Sequence, residues 1–129
     1  MRTLALILIM ALLSIGCSQE QTTAEVGLVT PEQLLSEPPA NALVLDVRTP
    51  EEYSGGHVPG AINVPHTQVA ERLEELGDDR SRPVVVYCER GGRAAQAEAA
   101  LLAGGFTDVR HLEGDMSDWR AQGRPLEQL

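Results

Sequence analysis

The chain has 129 residues, 43% of them apolar, and a formal net charge of −9, with ten Arg, no Lys and 19 Asp and Glu. That length allows one domain with something small attached, and such a domain buries a core without disulfide support. The acidic balance argues against a nucleic-acid binder, which needs a basic face, and Cys17, Cys88 and three histidines show no spacing that suggests a disulfide scaffold or a metal site, so no metal or cofactor is assigned.

Residues 1–16 have the layout of a signal peptide. Arg2 gives a basic start, Leu4 to Leu13 are uninterruptedly apolar, and Ser14-Ile15-Gly16 lead to Cys17. The apolar run is short for a bilayer span, which takes about 20 residues. Gly16-Cys17 resembles the end of a bacterial lipobox, with Ser14 where Leu usually stands and Leu13 one step back. The resemblance implies lipidation at Cys17, and so an exported protein held on a membrane at its periplasmic or cell-surface side. Acylation of Cys17 would leave Cys88 as the only thiol, in an oxidising compartment. Residues 17–29, polar and mostly small, read as a tether. The domain is expected over 30–129.

Thr30-Pro31-Glu32-Gln33 carries an N-cap, Pro at the first helical position and Gln at the third, predicting a helix over 31–36. Pro38-Pro39 stops it. The run from Ala42 to Val47 reads as a buried strand. Thr49-Pro50-Glu51-Glu52 repeats the start signal for a short helix through Tyr53, closed by Gly55-Gly56. A short strand follows at 61–64. A helix is expected over about 67–76, with Val69, Leu73 and Leu76 on one face. Val84 to Tyr87 reads as a strand, residues 93–103 as a helix, Val109 to Leu112 as a strand and Asp115 to Gln122 as a last helix carrying Trp119 into the core. Strands alternating with helices predict an α/β fold whose mainly parallel sheet is covered on both faces. Ligands of such sheets bind beyond the carboxyl ends of strands, where Cys88 stands.

The Cys88-Glu89-Arg90-Gly91-Gly92-Arg93 loop joins that strand to a helix start. Gly91 and Gly92 let the backbone curl so that N–H groups cradle an anion. Arg90 and Arg93, in an otherwise acidic chain, add fixed positive charge, as does the helix N-terminus. All of these favour an anionic sulfur on Cys88, the form in which cysteine is a nucleophile. Without them, a cysteine at a strand end would read as a small buried hydrophobe. Cys88 is therefore the catalytic candidate, and Glu89, Arg90, Gly91, Gly92 and Arg93 are the candidate substrate-binding stretch. Glu89 opposes the positive field and is expected to point outward. Arg93 has a second reading, as a tie that holds the loop. Arg48 is a further candidate for reaching the substrate from the neighbouring strand end. Asp46 and His57 are read as satisfying buried backbone and loop groups.

Three stretches together resemble a rhodanese domain. One runs from Asp46-Val47-Arg48 through Glu52-Tyr53 to Gly56-His57-Val58-Pro59-Gly60-Ala61-Ile62-Asn63-Val64-Pro65. The second is Cys88-x-x-Gly91-x-Arg93, and the third is Val109-x-x-Leu112-x-Gly114-x-Met116-x-x-Trp119. They span about residues 30–127. Asp115 departs from the pattern, standing where such domains often carry a second Gly. The resemblance implies a single-domain, rhodanese-like fold with a five-stranded, mainly parallel sheet flanked by helices. It implies a sulfurtransferase in which Cys88 takes sulfane sulfur from a donor such as thiosulfate and passes it from a persulfide to cyanide or a thiol. The expected partners are those small molecules and a membrane reached through the lipid anchor, with no nucleic acid; the domain is expected to be a monomer. Phosphatases and arsenate reductases of related fold place five residues between Cys and Arg, whereas four stand between Cys88 and Arg93. A rhodanese-like module that binds or carries sulfur without turnover is the other alternative.

Overall fold

The computed structural model describes residues 24–129; the expected signal peptide, Cys17 and the first part of the expected tether lie outside the described residues. The strands are β1 (Gly27–Val29), β2 (Leu43–Asp46), β3 (Ile62–Asn63), β4 (Val84–Tyr87) and β5 (Val109–Leu112). They form one sheet in the order β1-β5-β4-β2-β3, with every neighbouring pair parallel. The helices are α1 (Pro31–Ser36), α2 (Pro50–Gly55), α3 (Gly92–Ala103) and α4 (Asp115–Ala121).

Helix starts follow from local chemistry. Thr30 and Thr49 each accept from the N–H three residues on, and Gln33 and Glu52 reach back to the cap residue's own N–H. Two donors that an isolated helix end leaves bare are thereby satisfied at each start.

The central strand sorts the core into two layers. Successive side chains of a strand point to opposite faces. Val84, Val86 and, continuing the alternation, Cys88 join Leu45, Ala94, Ala97 and Leu101 on the α3 side. Val85 and Tyr87 join Leu112, Met116 and Trp119 on the other. All four residues of β4 are buried, as a strand covered on both faces requires. Its carboxyl end releases the chain into the cysteine loop.

Two sequence expectations need correction. Gly27–Val29 is not tether but an edge strand, in register with Arg110 to Leu112, and Val29 is buried. The sheet thus begins before Thr30. Residues 67–76 do not form one α-helix but two 3-10 segments, His66–Glu71 and Leu73–Leu76. The break is Arg72, whose φ of −115° and ψ of 22° leave the helical region. Val69 and Leu76 are buried as expected.

Candidate active site

Cys88 follows the last residue of β4 and lies against α3. Its Sγ accepts from the N–H of Gly91 at 3.0 Å and of Ala94 at 3.4 Å. The loop therefore wraps the sulfur, leaving the residue only 1% exposed. Gly91 makes the wrap possible. Its φ is +110°, and a Cβ there would lie 3.2 Å from Oδ2 of Asp115. No described residue accepts from the N–H groups of Glu89, Arg90, Gly92 or Arg93. They are free donors on the turn that leads from Cys88 into α3, a setting that suits anionic groups.

The arginines of the loop play different parts. Arg93 donates to both carboxylate oxygens of Glu52, at 2.7 and 3.0 Å. That bidentate contact, followed by the capping bonds from Thr49, holds the Glu52 carboxyl down at about 2. Arg93 thus clamps the end of the loop to α2, in line with its reading as a tie. Arg90 is exposed, and its guanidinium forms no ion pair or hydrogen bond among the described residues. It is the loop cation left uncommitted among the described residues.

Arg48 is committed to Asp46 and Gly56, with its remaining nitrogen toward Glu89 of the loop. It is 2% exposed, pairs bidentately with Asp46 and donates to the carbonyl of Gly56 at 2.8 Å. Asp46 also accepts from the Tyr87 hydroxyl at 2.7 Å, and that hydroxyl accepts from the N–H of Val58 at 3.1 Å. Burial, together with the neighbouring Asp46 charge, pushes the Tyr87 hydroxyl far above its ordinary range, so it remains a donor. Asp46 therefore serves buried groups, as read from sequence. His57 is likewise buried, stacked on Tyr53 with ring centroids 3.7 Å apart, and its Nδ1 meets the Tyr53 carbonyl at 2.8 Å. Trp119 is fully buried, as expected of a core residue.

Glu89 does not point freely outward. Its carboxylate is half-buried between Arg48, at 3.6 Å, and Arg120 of α4. Two guanidiniums offset its charge, which explains how the loop tolerates an acid beside the sulfur. A cleft of about 370 Å³ opens beside this pair, lined by Arg48, Glu51, Glu52, Glu89, Arg120 and Leu126 among others. A second cleft, of about 380 Å³, lies among Leu34, Pro38, Pro39, Val58 and Pro59 and includes no loop residue.

Sequence reading missed a cluster beneath the loop. Asp115 takes the left-handed conformation, φ +51°, that the position demands, and a short acidic side chain tolerates it. Its Oδ1 accepts from the Cys88 N–H at 3.0 Å, while Oδ2 meets Nε2 of His111 at 2.9 Å. Nδ1 of His111 meets Glu98, a buried residue of α3. Asp115 first and Glu98 second raise the His111 pKa to about 10, so the imidazole is charged at neutral pH. One signal was present in the sequence: Ala94, Ala97, Glu98 and Leu101 share one helix stripe, and an acid on an apolar stripe needs a partner.

A family model described as a Rhodanese-like domain matches residues 30–122. The chain is 41% identical over 93 residues to thiosulfate sulfurtransferase 16, chloroplastic, of Arabidopsis thaliana, covering 64% of this chain and 78% of that one. It is 39% identical over 103 residues to an HTH-type transcriptional regulator of Mycobacterium tuberculosis; the match takes in 78% of this chain but only 44% of the regulator. Among solved structures, a rhodanese with anions from E. coli superposes with a TM-score of 0.60 at 35% identity, covering 68% of this chain and 99% of that one.

Proposed function

The chain belongs to the rhodanese-like domain family, and from that premise we propose that it is a sulfurtransferase acting through a persulfide on Cys88. One observation carries the reading: the Cys88 sulfur, at a strand end, accepts two backbone N–H bonds inside a loop whose remaining N–H groups and Arg90 guanidinium find no partner among the described residues. The relatives named thiosulfate sulfurtransferase support the same chemistry.

In the proposed first step the Cys88 thiolate attacks the terminal sulfur of thiosulfate. A sulfur–sulfur bond forms to Cys88, the sulfur–sulfur bond of the donor breaks, and sulfite leaves with its electron pair. The product is a Cys88 persulfide, an anion that the loop N–H groups can hold as they hold the sulfur now. Arg90 would offset the dianionic donor during approach. In the second step cyanide or a thiolate attacks the outer sulfur, giving thiocyanate or a new persulfide, and the Cys88 thiolate is regenerated. Burial of Cys88 suits a small terminal sulfur better than a tetrahedral phosphate centre.

The test is thiocyanate formation from thiosulfate and cyanide by the isolated chain. Wild type is expected to turn over and Cys88→Ser to give only the uncatalysed background. Equal rates would refute the reading.

The N-terminal sequence supports a further part of the proposal: export, with the mature chain held at the periplasmic or cell-surface side by lipid on Cys17. Membrane fractionation tests the anchor. Cys17→Ser should move the protein to the soluble fraction; retention of that variant on membranes would contradict lipidation.

A further inference from the structure

Three ionisable side chains from three elements meet beneath the cysteine loop: Glu98 of α3, His111 of β5 and Asp115 at the start of α4. Glu98 and Asp115 are 6% and 3% exposed, and the His111 side chain is 20% exposed. None of the three reaches the Cys88 sulfur. Asp115 instead touches the loop at two points. Oδ1 holds the Cys88 N–H, and Oδ2 stands so close to Gly91 that a Cβ there would meet it at 3.2 Å, a tight contact. Two further bonds tie the same turn to the loop: Met116 N–H donates to the Cys88 carbonyl at 3.0 Å and Ser117 N–H to the Glu89 carbonyl at 3.1 Å.

Burying two carboxylates is unfavourable unless a cation and hydrogen bonds compensate. His111 supplies the cation and donates to both. The arrangement fixes Asp115, and through it the backbone from Cys88 to Gly91. Gly91 N–H is one of the two donors on the sulfur, so its position decides whether the cradle is closed. A loop placed by charged, mutually oriented side chains holds its donors in place before a substrate arrives.

We propose that Glu98, His111 and Asp115 form a charged brace, with Asp115 as a positioning residue that holds the Cys88 loop in the geometry needed for sulfur transfer. The proposal rests on the sulfurtransferase reading of Cys88 for its kinetic consequence, but not for the ordering of the loop.

Two substitutions at one position separate the brace from the fold. Asp115→Gly relieves the left-handed backbone while deleting the acceptor, and Asp115→Asn keeps an oxygen for the Cys88 N–H and tolerates the same φ. Each is compared with wild type by amide hydrogen exchange of Cys88 and Gly91, the hydrogen-bonded amides of the loop, and by rapid-quench intact mass of persulfide formation with thiosulfate. The brace predicts that Asp115→Gly exchanges these amides roughly tenfold faster and forms persulfide roughly tenfold slower, with Asp115→Asn between the two, since it keeps the acceptor for Cys88 but turns an NH2 toward the His111 N–H. Wild-type exchange and rate in Asp115→Gly would overturn it. If wild type forms no persulfide, the functional reading fails, and hydrogen exchange alone decides the brace: faster exchange in Asp115→Gly upholds it and unchanged exchange refutes it. Should Asp115→Gly not fold, His111→Gln is the second variant, with exchange at Cys88 and Gly91 read in the same way.

Discussion

Arg93, at the start of α3, grips Glu52 of α2 with two hydrogen bonds of 2.7 and 3.0 Å across 41 positions of sequence. The loop that carries the candidate nucleophile is therefore fastened at its far end by an ion pair. Its near end is fastened by the Asp115 carboxylate on the Cys88 N–H. Between these ties stands Arg90 with no charged partner among the described residues.

The clamp predicts a shared stability term. Arg93→Ala and Glu52→Gln should each destabilise the fold, and the double variant should cost little more than either alone. Both side chains are about one-third exposed, so the coupling expected from a double-mutant cycle in urea is on the order of 0.5–1 kcal/mol. Strict additivity would contradict the clamp. The sign of its pH dependence follows from Glu52. A carboxyl held down at about 2 contributes stability that is complete above its unfolded value and lost as pH falls toward 2.

Arg90 should behave in the opposite way. Arg90→Ala is expected to leave the melting temperature within about 1 °C, since exposed, unpaired charges contribute little to stability. It should raise KM for thiosulfate by roughly fivefold at low ionic strength, with the difference shrinking in high salt. A salt-independent change, or none, would remove Arg90 from the donor's path.

Tyr87 and Asp46 predict the cost of breaking a buried network. Tyr87→Phe removes the donor to Asp46 and the acceptor for the Val58 N–H. A loss of roughly 1–3 kcal/mol is expected in urea unfolding. Asp46→Ala takes the bidentate partner from buried Arg48, leaving only Glu89 at 3.6 Å, and should cost more, about 3–5 kcal/mol. A reversed order would mean that Arg48 finds another partner.

His111 predicts a high-pH limit. Its raised pKa, about 10 in the folded state, means that its contribution is complete below the unfolded value of about 6.5 and fades as pH rises toward 10. The melting-temperature gap between wild type and His111→Gln should be on the order of 5 °C near pH 6. It should close as pH approaches 10. A gap that stays constant would show that the imidazole acts by shape rather than charge.

Local features were legible in the sequence, and relations between distant residues were not. The capping boxes at Thr30 and Thr49, the valine run into Cys88 and the two glycines of the loop each declare themselves within a few positions. Gly27–Val29 did not. Three residues of modest apolarity become a strand only because β5 offers a free edge. The loop arginines were both visible, and Arg93 already had a reading as a tie, but its partner was not, because Glu52 lies in a different helix. Asp115 looked like a departure from a glycine turn. Its left-handed backbone keeps the turn, and its carboxylate finds Cys88 and His111 only in the folded chain.

The central claim is that Cys88 carries sulfur as a persulfide. Intact-mass measurement after thiosulfate treatment tests it most directly. The account predicts that wild type gains one sulfur atom, that cyanide removes it, and that Cys88→Ser gains none. A wild type that takes up no sulfur, or a Cys88→Ser variant that takes up as much, would contradict it.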